Sequence, residues 1–170
     1  MTGRVLVTTA LEETWPEEGQ ALFLGDWCIP HRMVDRAAGL DHVTMDHPWS
    51  DPDRLDRDRD GIRYTYEEVL GRLSDRLDEL HGTRLGRRAW RIIVGPWLQT
   101  FTTVVFDRWS SIQQAVQQHD LDHTVVLEGP GRSTPPQRLG DFRRWDLQDD
   151  RWNHDLYAEI IRWDGRIDVR

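Results

Sequence analysis

Arg4-Val-Leu-Val-Thr-Thr-Ala10 is the stretch that decides the fold class. Val5, Leu6 and Val7 follow one another without the polar alternation of a half-exposed strand. Both faces therefore expect burial, as in a parallel sheet covered by helices. Ala21-Leu-Phe-Leu-Gly25 repeats the pattern, and His123-Thr-Val-Val-Leu-Glu-Gly129 reads as a third strand of the same kind. Helical patterns separate them. Thr65 and Glu68 make a capping box ahead of Val69, Leu70, Leu73, Leu77 and Leu80, and His81-Gly82 is a stop signal.

The longest apolar segment runs from Arg87 to Val116, with Trp90, Val94, Trp97, Phe101, Val105, Trp109, Ile112 and Val116 at helical spacing. Pro96 has no N–H to give and crowds the carbonyl four residues back, so two helical pieces with a kink at Gly95-Pro96 are expected. Arg91, Asp107 and Arg108 lie in or beside this surface and need partners, most simply an internal Arg–Asp tie. A last helix from Arg151 carries Trp152, Leu156, Ile160 and Trp163 on one face, and Ile167–Arg170 reads as the start of another element. Between the second strand and the first helix, Pro30–Arg59 reads as a long irregular connection. Arg138–Asp150 also reads as irregular, anchored by Phe142 and Trp145. The order strand, strand, helix, long helix, strand, helix is an α/β pattern with a short, open, mostly parallel sheet, in a single domain over residues 1–170.

Composition excludes several classes. The 170 residues carry 22 arginines and no lysine against 30 acidic side chains, a formal net charge of -8, which argues against a partner with a phosphate backbone. Cys28 is the only cysteine, so no intramolecular disulfide forms. No run reaches the roughly 18 apolar residues of a membrane span. The expected location is cytoplasmic, with any membrane association peripheral at the inner face. His31, His42 and His47 match no zinc spacing, and no metal site or cofactor is expected from them.

Asp56-Arg-Asp-Arg-Asp-Gly61 followed by Glu67 fits the calcium-loop template D-x-D-x-D-G-x5-E at every specified position. Against it, Arg63 occupies the position that is normally a branched apolar residue, two arginines sit inside the loop, and Glu67 and Glu68 are already explained as first-turn helix residues. The calcium reading is the weaker one.

In open α/β sheets ligands bind outside the carboxyl ends of the strands, which directs attention to the segments after Val7 and Phe23 and to the turn Gly129-Pro130-Gly131. Glu12 and Glu13 are the candidates for a catalytic base or for contacts to acceptor hydroxyls. Thr8, Thr9, Gly25 and Trp27 would shape the pocket, and Arg91, Asp107 and Arg108 would orient an acceptor or buttress a cleft. The glycine turn is not a phosphate loop, since the lysine and Ser/Thr of that motif are missing.

These residues also carry a family likeness. Thr8-Thr-Ala-Leu-Glu-Glu-x-Trp15, Phe23-Leu-Gly-x-Trp-Cys28, the Tyr64–His81 helix, Trp90-Arg-Ile-x-x-Gly-Pro-Trp-Leu98 and Phe106-Asp-Arg-Trp109 together resemble a family of bacterial surface-polysaccharide transferases. That family is distantly similar to the 4-amino-4,6-dideoxygalactose transferases. A weaker likeness continues at Trp152-Asn153-His154. The resemblance implies a GT-B glycosyltransferase, two Rossmann-like domains facing each other across a cleft, of which this chain is the N-terminal, acceptor-side half and a fragment of a longer chain. Its partners would be a nucleotide-sugar donor, gripped by the missing C-terminal domain, and a glycan or lipid-linked acceptor. The alternative is a non-catalytic carbohydrate-binding or partner-binding domain that uses exposed tryptophans.

Overall fold

A computed structural model describes residues 3–129 and 138–170. The chain divides into two compact units, a sheet unit of Met1–Pro48 with Arg108–Arg170 and a helical unit of Trp49–Asp107.

In the sheet unit the strands are β1 (Arg4–Val7), β2 (Gln20–Phe23), β3 (Asp41–Thr44), β4 (Leu121–Thr124) and β5 (Asp168–Val169), in the order β3-β2-β1-β4-β5. Every pairing among the described residues is parallel. The architecture is therefore α/β and Rossmann-like. The chain builds outward from β1 to β3 on one side, then returns to add β4 and β5 on the other, so the strand order reverses beside β1. Val5, Leu6 and Val7 stand against Ala21, Leu22 and Phe23, and a register shift between Arg4 and Val5 sets β1 on β4. Helix α1 (Val34–Ala38) connects β2 to β3. The sheet is buried as the unbroken apolar runs require: Leu6, Val7, Leu22 and Phe23 share one core with Ile112, Ala115, Tyr157 and Ile161.

Several expectations shift by a few residues. The supposed irregular stretch after Pro30 contains α1 and the edge strand β3, whose Asp-His-Val-Thr sequence is half-buried and lacks a legible apolar pattern. The third strand begins at Leu121 and ends at Thr124. The peptide of Leu127 is instead held by side chains of α6 (Asp150–Asp164): its N–H donates to His154 Nε2 at 3.0 Å and its carbonyl accepts from Arg151 Nη2 at 2.8 Å. Accepting that bond keeps His154 neutral at Nε2, and burial, with Arg151 nearby, holds its pKa below the ordinary value. α6 is also turned from its expected face. It buries Asn153, His154, Tyr157, Ala158, Ile160 and Ile161, while Trp163 is exposed. Ile167–Arg170 does begin another element, since β5 lies there. Helix α5 (Leu139–Arg144) occupies the segment expected to be irregular, with Phe142 buried and Trp145 exposed. Of the glycine turn, only Gly129 belongs to the described residues; Pro130 and Gly131 lie outside them.

The helical unit begins with α2 (Pro52–His81), capped by the Asp51 carboxylate, which accepts from Asp53 N, and opened by Pro52. The helix thus starts well before Thr65 and runs through the entire calcium template. Successive side chains of a helix point about 100° apart, so Asp58 points away from Asp56 and Asp60 and the three do not converge on an ion. Asp56 pairs with Arg59, Asp58 accepts from Trp49 Nε1 at 3.0 Å, and Glu67 takes both Arg91 Nη groups at 2.6 Å. No cluster of metal-ligating side chains occurs among the described residues. The tie to Arg91 is therefore Glu67 rather than Asp107.

α2 ends at Gly82, in the left-handed region at φ 62° that glycine enters without strain. α3 (Gly86–Ile93) and α4 (Gly95–Gln118) follow, separated at Val94. This is the expected kink, with Pro96 placed in the first turn of α4, where no partner for its missing N–H is needed. Asp78 fastens the turn between α2 and α3. Its carboxylate accepts from Thr83 Oγ1, Leu85 N, Gly86 N and Trp90 Nε1 at 2.7 to 3.0 Å.

Two outcomes follow from this unit. The Thr83 hydroxyl and the other donors hold the Asp78 pKa down to about 2, against an unfolded value of about 3.9. A depressed acid stabilises above its unfolded pKa and loses that contribution as pH falls toward the folded one. Asp78→Asn should thus lower the melting temperature at neutral pH, and thermal melts in acid should show the gap closing between about pH 4 and pH 2. Calcium and chelator should give the same melting temperature, because the template residues are helical and Asp56, Asp58 and Glu67 are already paired.

Candidate functional site

β1 ends in a buried segment, Thr8-Thr9-Ala10, whose peptide groups must find partners within the protein. Two neighbouring elements supply them. After β2, a short 3-10 turn at Asp26–Cys28 places the Trp27 indole so that Nε1 donates to the Thr8 carbonyl at 3.1 Å. Cys28 Sγ donates to the Val7 carbonyl at 3.4 Å, and burial pushes its thiol up to about 12, so it acts as a core residue rather than a nucleophile. From the other side, the first turn of α6 brings Asp150, whose Oδ1 accepts from Ala10 N at 3.3 Å. Gly25 is needed because Trp27 folds back over it; a Cβ there would fall inside the indole ring.

Between these elements lies a cavity of about 320 Å³. Thr9, Trp27, Asp150, Asn153 and Tyr157 line it together with His47, Arg108, Leu147 and Gln148. It sits at the carboxyl end of β1, where the strand order reverses, the place at which open α/β sheets bind ligands. Its walls are held firmly. Asn153 Oδ1 accepts from Arg108 Nε at 3.0 Å, while its Nδ2 donates to the carbonyls of Leu147 and Asp149. The Arg108 guanidinium lies 5.7 Å above the Tyr157 ring, and Trp27 and His47 meet edge to face. In this wall Thr9 Oγ1 is buried with no hydrogen-bond partner among the described residues. A buried hydroxyl without a partner costs stability, and one on a cavity wall has a ligand as its natural partner.

The structure gathers part of the sequence-derived set here. Thr9, Trp27 and Arg108 line the cavity, Gly25 and the Thr8 carbonyl position Trp27, and all belong to the sheet unit. Glu12 and Glu13 follow β1 on a 3-10 turn but do not line it; both are exposed, and Glu12 faces Arg32 and Arg36 at 3.6 and 3.9 Å. Arg91 and Asp107 belong to the helical unit, Arg91 in its pair with Glu67. His47, Gln148, Asp150 and Tyr157 were missed. Asp150 reads in sequence as an ordinary helix-opening acid, and Asn153 and Tyr157 as the polar side of α6.

Residues 4–170 match the model of the LIC12162 family transferases. The chain belongs to that family. No curated protein and no solved structure matches it. In this LIC12162-family chain the cavity offers a carboxylate, a guanidinium, an imidazole, a hydroxyl and an indole face, a set able to bind a polyhydroxylated molecule and to accept a proton from it.

Thr9→Val separates the two roles of the hydroxyl. Removing a buried unpartnered group while keeping the side-chain shape should raise stability by about 1 kcal/mol, read by denaturant unfolding, while weakening whatever the cavity binds.

Proposed function

We propose that this transferase-family chain is the acceptor-side domain of a GT-B glycosyltransferase acting in surface-polysaccharide synthesis, on the pattern of the 4-amino-4,6-dideoxygalactose transferases. The observation that carries the reading is the cavity at the carboxyl end of β1, with Trp27 as an apolar face for a sugar ring and the Thr9 hydroxyl lacking a partner among the described residues. The acceptor, a glycan or a lipid-linked sugar, enters this cavity. The donor, a nucleotide-activated sugar, is gripped by a second Rossmann-like domain of a longer chain.

In the reaction, an acceptor hydroxyl oxygen attacks the anomeric carbon of the donor, the bond from that carbon to the diphosphate breaks, and the nucleoside diphosphate leaves with the electron pair. The hydroxyl proton passes to a protein carboxylate. Asp150 is the carboxylate in the cavity wall, and its bond from Ala10 N fixes its position. Glu12 and Glu13, just beyond β1, are the other candidates. Thr9, Arg108 and Asn153 hold the remaining acceptor oxygens, and Arg108 stays rigid through its stacking on Tyr157.

With the chain joined to its donor domain, Asp150→Asn should cut turnover by about 10² to 10⁴ without loss of fold. Unchanged turnover in Asp150→Asn, with a large loss in Glu12→Gln or Glu13→Gln, moves the base to the turn after β1. No loss in any of the three removes the carboxylate mechanism.

A further inference from the structure

The helical unit leaves large apolar side chains in water on one short helix. On α3, Ile92 is 74% exposed and Ile93 59%, and Leu80 and Leu85 are exposed at the two ends of the α2–α3 turn. The inner side of α3 is already occupied, since Trp90 is buried and donates to Asp78. At helical spacing Arg88 and Ile92 lie on the opposite side from Trp90 and Val94, and Ile93 is exposed on the flank of the helix. The charge of this region also departs from the rest of the chain. Between Glu79 and Asp107 there is no acidic residue, yet there are arginines at 84, 87, 88 and 91, in a protein of net charge -8. Arg91 is taken by Glu67, and Arg87 lies against Gly71 of α2. Arg84 and Arg88 are exposed and form no ion pair among the described residues.

Apolar anchors flanked by cations on one helix face fit a surface that is apolar below and anionic above. A second copy of the chain fits poorly, because a two-fold contact would set the same arginines against each other. We propose that the outer face of α3 docks on an anionic lipid surface. Ile92 and Ile93 enter the boundary between headgroups and acyl chains, and Arg84 and Arg88 take lipid phosphates. No helix among the described residues is long and apolar enough to cross a membrane, so the attachment lies in the plane of the surface. This docking rests on α3 and the turn that leads into it, and is independent of what the cavity binds.

The test is sedimentation of the 170-residue chain with vesicles of phosphatidylglycerol and phosphatidylcholine in equal parts, compared with phosphatidylcholine alone. Binding should be at least about tenfold tighter to the anionic vesicles and should weaken as salt is raised. Ile92→Asp with Ile93→Asp should lower it by about tenfold or more, and Arg84→Gln with Arg88→Gln by several-fold, with unchanged circular dichroism. Thr9→Val should bind vesicles as the parent does, which keeps this result separate from the acceptor reading. Absent binding, equal binding to both vesicles, or binding unaffected in both double variants overturns the proposal. A dimer in sedimentation velocity that Ile92→Asp with Ile93→Asp disperses, with no vesicle binding, overturns it in favour of self-association.

Discussion

A buried parallel strand ends in peptide groups that water cannot reach, and the arrangement of the sheet unit follows from how β1 meets that requirement. The Val7 carbonyl takes Leu24 N and the Cys28 thiol, the Thr8 carbonyl takes the Trp27 indole, and Ala10 N is taken by Asp150. These bonds draw two distant parts of the chain to one point. The turn after β2 and the first turn of α6 thus arrive on either side of the same strand end. The space left between them is the cavity, and Trp27 and Asp150, which close the strand, stand in its walls.

The helical unit solves a different problem, that of joining long helices through tight turns. A single carboxylate, Asp78, accepts four donors across the α2–α3 turn, and the bidentate Glu67–Arg91 pair fixes α3 against α2 a few turns further along. Both are exposed enough to be screened by solvent, so their value lies in geometry more than in energy. With the turn held and Trp90 committed inward, Ile92 and Ile93 have no place within the unit.

The two units differ in what they present: the sheet unit has a lined cavity and the helical unit has exposed apolar side chains. The cavity combines one carboxylate, one guanidinium and an indole in a wall stiffened by Asn153. Such a site orients a ligand and can take one proton from it.

By itself the sequence determined the layers: the unbroken apolar runs of β1 and β2 announced a buried parallel sheet, and Gly95-Pro96 announced the break before α4, because these are local steric and burial constraints. The strand-end rule also led to Thr9, Gly25 and Trp27, and the need of a charge beside an apolar surface for a partner led to Arg108. Only the tertiary structure decided the rest. The template at 56–67 has perfect spacing for calcium, yet Asp51 and Pro52 start a helix upstream and helical geometry disperses its carboxylates. β3 was illegible because an edge strand needs few apolar residues. Asp150, Asn153 and Tyr157 could not be recognised because their role depends on which face of α6 turns inward. That face is chosen by the partners that Ala10, Leu127 and Arg108 require, and those partners lie up to 140 residues away in the chain.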